Sequence, residues 1–242
     1  MVSKSQIKLI TSLYQKKYRN LNGLFIAEGV KVINEFLQND IELFELYTTD
    51  TSFYTIEKSK INLISEAELK KISLLKTPNT ALALFKIPQF IAKDKNDFTL
   101  ALDNVRDPGN LGTIIRLCDW FGITNLVCNM ETVDCYNPKV VQASMGSLAR
   151  IHISYVNLKA FLESTQLKVY VADMEGTNVY KTQLPEKGIL VMGNEANGIS
   201  EEIKGIADMK LSIPRFGELQ LTESLNVATA TAILLSEFKR NS

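Results

Sequence analysis

The chain has 242 residues, 45% of them hydrophobic, and a formal net charge of +0. That length and apolar content suit one large or two small globular domains, and the balanced charge gives no global attraction to nucleic acid. No stretch approaches eighteen uncharged apolar residues, and MVSKSQIKL lacks the apolar core of a signal peptide, so no membrane span and a cytoplasmic location are expected.

Basic residues crowd the start: Lys4, Lys8, Lys16, Lys17 and Arg19 all precede the first acidic residue, Glu28. Over residues 1–92 Lys and Arg exceed Asp and Glu by three, which the rest of the chain offsets. Ile7, Ile10, Leu13 and Tyr14 recur at helical spacing, predicting an amphipathic helix with a basic face, which is either a solvated surface or a phosphate-binding one. Strand-like runs then fall at 24–27, 43–49, 62–64 and 81–87, with helices over 31–38 and 66–75. Ser65 and Glu68 form a capping box at the start of the second of these helices. This reads as a small α/β domain over 1–90. The segment PQFIAKDKND (88–97) combines proline with four charges and no periodicity, which suits a linker, placed at 91–97.

The remainder, 98–242, alternates strands at 98–103, 125–129, 150–156, 168–174, 188–193 and 209–214 with helical stretches, the last running from about Leu225 to Lys239. Strands separated by helices predict a mostly parallel sheet, with ligands beyond its carboxyl edge. Cys118, Cys128 and Cys135 are odd in number and lack CxxC spacing, so they read as buried thiols, with no disulfide framework and no metal site. His152, the lone histidine, lies in an apolar strand and reads as structural; Trp120 reads as core.

Three polar clusters stand where strand-like runs stop: DNVRDPGNLGTIIR (103–116), GNEANG (193–198) and SIPRFGELQLTESLNVA (212–228). No GxGxxG follows a strand and no P-loop is present, which sets aside nicotinamide enzymes and NTPases. In the first cluster, Asp107-Pro108-Gly109-Asn110 is a turn, Asn110 a natural N-cap, and Arg116 lies within two helical turns of it. In the second, Glu195 is a single carboxylate on a tight turn, which by itself fits a local cap for a helix near Ser200 as well as a site. In the third, Ser224 and Asn226 suit caps and backbone contacts rather than a helix interior. Ser144-Met145-Gly146-Ser147 reads as close packing of small residues.

In this order the clusters resemble the SpoU family of RNA 2′-O-ribose methyltransferases, within the SPOUT class: Asn110, Gly112 and Arg116; Gly193, Glu195 and Gly198; Ile213, Pro214, Ser224, Leu225 and Asn226. FIAEGVKVINEFL (25–37) is similar to the family's N-terminal substrate-binding domain of L30e-like fold. The resemblance implies a SPOUT-type sheet whose C-terminal segment forms a deep trefoil knot, a homodimer packed through that domain, and S-adenosylmethionine as cofactor. It places the cofactor against Met192, Gly193, Asn194, Gly198, Ile213, Pro214 and Leu225, several through their backbone. It assigns chemistry and positioning to Asn110, Arg116, Glu195, Ser224 and Asn226; with an RNA substrate, the basic residues Lys4, Lys8, Lys16, Lys17 and Arg19, together with Arg106, are the candidate RNA contacts. The loop 215–223 is longer than in the shortest family versions, with Arg215, Glu218 and Gln220 as added polar groups. The implied activity is methylation of a ribose in structured RNA, ribosomal RNA favoured over tRNA. The alternatives are an RNA-binding or ribosome-assembly factor of the same fold without turnover, and, within the class, an enzyme acting on a base.

Overall fold

In the computed structural model of the protein, residues 1–88, 98–219 and 224–240 are described, so the linker expected at 91–97 and residues 220–223 of the third cluster lie outside them. The described residues gather into two compact units. The first holds residues up to 88 together with Asp134–Arg150; the second holds 98–133, 151–219 and 224–240.

The first unit begins with two helices, α1 (Lys4–Ser12) and α2 (Lys16–Asn22), where the periodicity predicted one. Ile10 and Leu13 are fully buried, while Lys4, Lys8, Lys16 and Lys17 face solvent. Next come β1 (Leu24–Glu28), α3 (Val30–Gln38), β2 (Leu43–Thr48), β3 (Ile61–Leu63), α4 (Glu66–Ile72) and β4 (Ala81–Lys86). The four strands form a sheet in the order β1-β4-β2-β3, in which β4 runs antiparallel to β1 and β2. Ser65 and Glu68 make the expected capping box at α4, each side chain satisfying the other's backbone N–H.

Arg19 departs from its expected role. It is 1% exposed; its Nε donates to Oδ2 of Asp134 at 2.9 Å and its Nη1 to the Leu13 carbonyl at 2.8 Å. A guanidinium so enclosed is held by its ion pair and cannot meet a phosphate without unmaking it. Nearby, Tyr136 lies against Phe25 with ring centroids 4.8 Å apart, and Arg150 pairs with Glu35 at 2.7 Å. Residues 134–150, expected in the second domain, thus complete the first unit's interior. Ser144 and Ser147 are buried there, as close packing requires.

The second unit contains β5 (Thr99–Leu102), α5 (Pro108–Trp120), β6 (Asn125–Asn129), β7 (His152–Val156), α7 (Leu158–Glu163), β8 (Val169–Asn178), β9 (Ile189–Met192), α8 (Glu201–Lys204), β10 (Met209–Ser212) and α9 (Val227–Phe238); α6 (Pro138–Ser144) belongs to the first unit. Its six strands pair in the order β10-β8-β9-β5-β6-β7, all in parallel. Parallel strands are buried on both faces, and β5 and β9 are buried along their whole length accordingly. The three cysteines are buried and unbridged, and burial pushes the Cys118 thiol up. His152 is half-buried at the start of β7, where its backbone N–H bonds the Thr124 carbonyl. No described helix is long and apolar enough to cross a membrane.

Two elements differ from the sequence reading in ways that shape the site. On α5 the buried positions are Leu111, Gly112, Ile114, Ile115 and Cys118, so Trp120 falls on the opposite face beside Thr113 and Arg116 and is 84% exposed rather than core. Strand β8 is longer than expected, and its pairing with β10 jumps from Val171↔Lys210 to Thr177↔Leu211, so residues 172–176 bulge out of the ladder. Gly176 lets the strand return: a Cβ there would lie 2.6 Å from the Lys210 carbonyl carbon.

Candidate active site

The site is built from three carboxyl ends of neighbouring strands. At the end of β5, Asp103 is 6% exposed and accepts from Asn129 Nδ2 at 3.1 Å and from the Ser200 N–H at 2.8 Å, tying the ends of β6 and β9 to its own. Asn104 follows with φ 68°, which turns the chain toward α5. Asp107 caps that helix, accepting the Asn110 N–H at 2.8 Å, with Pro108 at the first helical position. The cap is therefore Asp107, not Asn110, which sits inside the first turn with its carboxamide free to reach elsewhere.

It reaches two ways. Asn110 Nδ2 donates to Glu195 Oε1 at 3.0 Å, and Asn110 Oδ1 accepts from Asn226 Nδ2 at 2.8 Å. Glu195 also accepts the backbone N–H groups of Arg106 at 3.3 Å and Asp107 at 3.2 Å, which places its carboxylate at the amino end of α5. Partial burial works against its charge, but the hydrogen bonds from Asn110, Arg106 and Asp107 prevail and hold its carboxyl below the usual carboxylate range. Asn226 in turn caps α9, accepting from the N–H groups of Ala228 at 2.9 Å and Thr229 at 3.2 Å. One hydrogen-bonded chain, Glu195–Asn110–Asn226, thus joins all three clusters.

The second cluster is a closed loop. Asn194 and Gly198 exchange backbone hydrogen bonds of 2.8 and 3.0 Å, Asn194 Oδ1 accepts from the N–H groups of Ala196 and Asn197, and its Nδ2 donates to the Asn104 carbonyl at 2.7 Å. Gly193 is the tight point, since a Cβ there would stand 2.3 Å from the Gly198 carbonyl carbon.

Beside this loop lies a cavity of about 720 Å³, and every residue assigned to the cofactor from the sequence lines it: Met192, Gly193, Asn194, Gly198, Ile213, Pro214 and Leu225, with Glu195 and Ser224. The residues that leave the β8 ladder supply a further wall, which the straight strand read from the sequence missed; Asp173 there pairs with Lys204 at 3.2 Å. A bare glycine backbone, apolar walls and a few convergent polar groups fit a nucleoside-sized ligand. A smaller recess of about 300 Å³ near Thr165 and Lys168 contains none of these residues.

Arg116 is exposed on α5 and, among the described residues, makes no hydrogen bond or ion pair. The hydrogen bonds of the Asn110 carboxamide run to Glu195 and Asn226, not to Arg116. Arg106 is exposed, with its Nε on Asn104 Oδ1 at 2.9 Å. Among the described residues no group of His, Cys, Asp and Glu could hold a metal ion. Asn129 and Asp173 were not picked out as parts of a site in the sequence, though Asn129 stands at the carboxyl end of a strand, the position that could have marked it; Asp103 was included only as the first residue of the first cluster.

Comparison with known proteins agrees with this geometry. The SpoU rRNA Methylase family matches residues 97–236, and the MRM3-like substrate binding domain matches residues 4–83. The chain is 28% identical over 95% of its length, and 94% of the relative's, to the 23S rRNA (guanosine(2553)-2′-O)-methyltransferase RlmP of Bacillus subtilis. A structure from Porphyromonas gingivalis assigned to the TrmH family of RNA methyltransferases superposes over 100% of both chains with a TM-score of 0.89 and 38% identity. An AdoMet-bound rRNA methyltransferase from Sinorhizobium meliloti superposes over 99% of this chain and 97% of its own, with a TM-score of 0.87 and 28% identity. With residues of the second and third motifs lining one cavity and Asn110 of the first hydrogen-bonded to both, the chain belongs to the SpoU family of RNA methyltransferases, which use S-adenosylmethionine.

Proposed function

We infer that this protein methylates a ribose 2′-hydroxyl of ribosomal RNA. The observation that carries the reading is the Glu195–Asn110–Asn226 chain, which ties three loops together through hydrogen bonds, with Glu195 lining the cavity. S-adenosylmethionine supplies an electrophilic methyl on a sulfonium. The protein's share is position: the hydroxyl is a weak acid and must approach in line, and fixing that geometry is worth several kcal/mol in favourable cases.

Gly193, Ile213 and Leu225 hold the cofactor through backbone amides and carbonyls, with Met192, Asn194, Gly198 and Pro214 closing around it. Glu195 stays an anion whose oxygens are occupied by donors, so it positions rather than abstracts a proton. Ser224 fixes the third loop. A guanidinium is a poor base, so Arg116 serves through its fork, which suits an RNA phosphate and a developing alkoxide, with the phosphate itself taking the proton. Lys4, Lys8, Lys16 and Lys17, on the exposed side of the first two helices, supply phosphate contacts, as does Arg106. The residues matched to the substrate-binding domain, 4–83, serve as the RNA-binding part, and the catalytic part follows. A trefoil knot suits the strand order in which the chain leaving β9 crosses β8 to set β10 at the sheet edge, and a homodimer through this unit in the cytoplasm completes the reading.

Mapping ribose methylation across ribosomal RNA with and without the protein tests this: one methylated nucleotide is lost when the protein is absent. No change at any ribose, with S-adenosylmethionine still bound, supports an assembly factor instead. Arg116→Lys separates the fork from simple charge, since full turnover at unchanged RNA affinity sinks the bidentate role.

A further inference from the structure

The cavity opens beside an aromatic pair that none of these roles uses. Tyr180 and Phe216 stack with centroids 6.3 Å apart and planes at 29°, yet they are 40% and 82% exposed. An aromatic pair held together in water at such exposure leaves the outer face of Phe216 open. Phe216 directly follows Pro214 and Arg215, both cavity-lining, so its Cα stands one residue step, about 3.8 Å, from the wall. Tyr180 is well anchored: Asn178 Oδ1 accepts its N–H at 2.9 Å, the adjacent Val179 is 1% exposed, and Ser212 Oγ, at the end of β10, donates to the Gly176 carbonyl at 2.9 Å. The inner ring is fixed by the sheet and the outer one is laid over it.

We propose that Tyr180 and Phe216 are the platform on which the base of the target nucleotide, or its immediate neighbour, stacks once unpaired from the RNA. This rests on the ribose methylation inferred above. The base hangs from the ribose carbon next to the one that bears the target hydroxyl, so a ribose at the cavity mouth carries its base to the rim. A third ring laid on Phe216 extends a stack already built. Stacking reads a π-face rather than hydrogen-bonding edges, so the platform holds the nucleotide in place and leaves base identity to other groups. An aliphatic side chain covers the same apolar surface without that stack.

The test uses the full-length protein, tritiated S-adenosylmethionine and unmodified ribosomal RNA transcribed in vitro, with Phe216→Leu, Tyr180→Leu and Phe216→Tyr. The Leu variants raise KM for RNA about tenfold, within the range of one base–aromatic stack, with calorimetric affinity for S-adenosylmethionine unchanged, and Phe216→Tyr recovers wild-type KM. Wild-type KM in Phe216→Leu overturns the proposal. So does a loss of cofactor affinity, which makes the pair a cover for the cofactor, or a change of oligomeric state in sedimentation, which makes it a seat for a second copy. A wild-type protein that methylates no ribosomal RNA refutes the inferred function; stacking is then judged by a single-stranded oligoribonucleotide carrying 2-aminopurine. Quenching by wild type that is lost in Phe216→Leu upholds the platform, and no quenching overturns it.

Discussion

Asn226 donates from Nδ2 to the Oδ1 of Asn110 across 2.8 Å, linking the cap of α9 to the first turn of α5. The two functions of Asn226 are separable. Asn226→Ala removes the cap as well, costing about 1 kcal/mol and lowering Tm by about 2–4 °C. Asn226→Asp keeps the acceptor for Ala228 and Thr229 but sets oxygen against oxygen at Asn110. Melting near the wild-type temperature with turnover reduced at least about tenfold is expected, and a double-mutant cycle with Asn110→Ala gives a coupling of about 0.5–3 kcal/mol.

Gly193→Ala places a methyl 2.3 Å from the Gly198 carbonyl carbon and 2.4 Å from the Ile199 nitrogen, both backbone atoms that cannot rotate aside. The Asn194–Gly198 loop must open, and the cavity loses a wall. Calorimetry finds S-adenosylmethionine bound at least about tenfold more weakly, roughly 1.4 kcal/mol. Unchanged affinity means that the cofactor avoids this loop.

Glu195 sets an acid limit. Its folded pKa lies below its unfolded one, so the stabilisation it confers is complete above the ordinary carboxylate range and is lost as pH falls through the depressed folded value. Cofactor affinity holds from neutrality down to the ordinary carboxylate range and drops below it. Glu195→Gln flattens that acid limb and lowers affinity at neutral pH, because an amide nitrogen replaces one of two acceptors that face the donors of Arg106, Asp107 and Asn110.

Arg19→Ala leaves Asp134 without its cation in the interior of the first unit, and Asp134→Ala leaves a buried guanidinium. Either costs about 3–5 kcal/mol in urea unfolding, while Lys16→Ala and Lys17→Ala, at exposed positions, stay within about 0.5 kcal/mol. RNA binding shows the opposite pattern. Alanine at Lys4, Lys8, Lys16 and Lys17 flattens the salt dependence of affinity by up to about one unit of slope for each phosphate that is no longer neutralised.

The strands were legible because β1, β4, β5 and β9 are short, largely apolar runs buried in the two sheets, and the other six expected strand runs also stand as strands among the described residues. Helix α4 was legible from its capping box. What escaped were features set by partners distant in sequence. The Arg19 side chain looked like one more cation beside Lys16 and Lys17, since nothing local announces Asp134, 115 residues on. Trp120 was misread because hydrophobicity says nothing of which helix face meets the sheet. That the seven residues assigned to the cofactor share one cavity was legible only through motif order, while the bulge of β8 at 172–176 depends on where β10 pairs, which no window along the chain contains.

The ion pair between Arg19 and Asp134 bears on how the protein is made. A ribosome that has released only residues 1–88 has delivered every strand of the first sheet, but not the carboxylate that neutralises its buried guanidinium nor the ring that covers Phe25. Those arrive with residues 134–150, some 3–12 s later at about 5–20 residues per second. The amino-terminal segment therefore waits, incomplete, until part of the second unit has emerged, and a fragment cut at the apparent domain border inherits that unfinished interior.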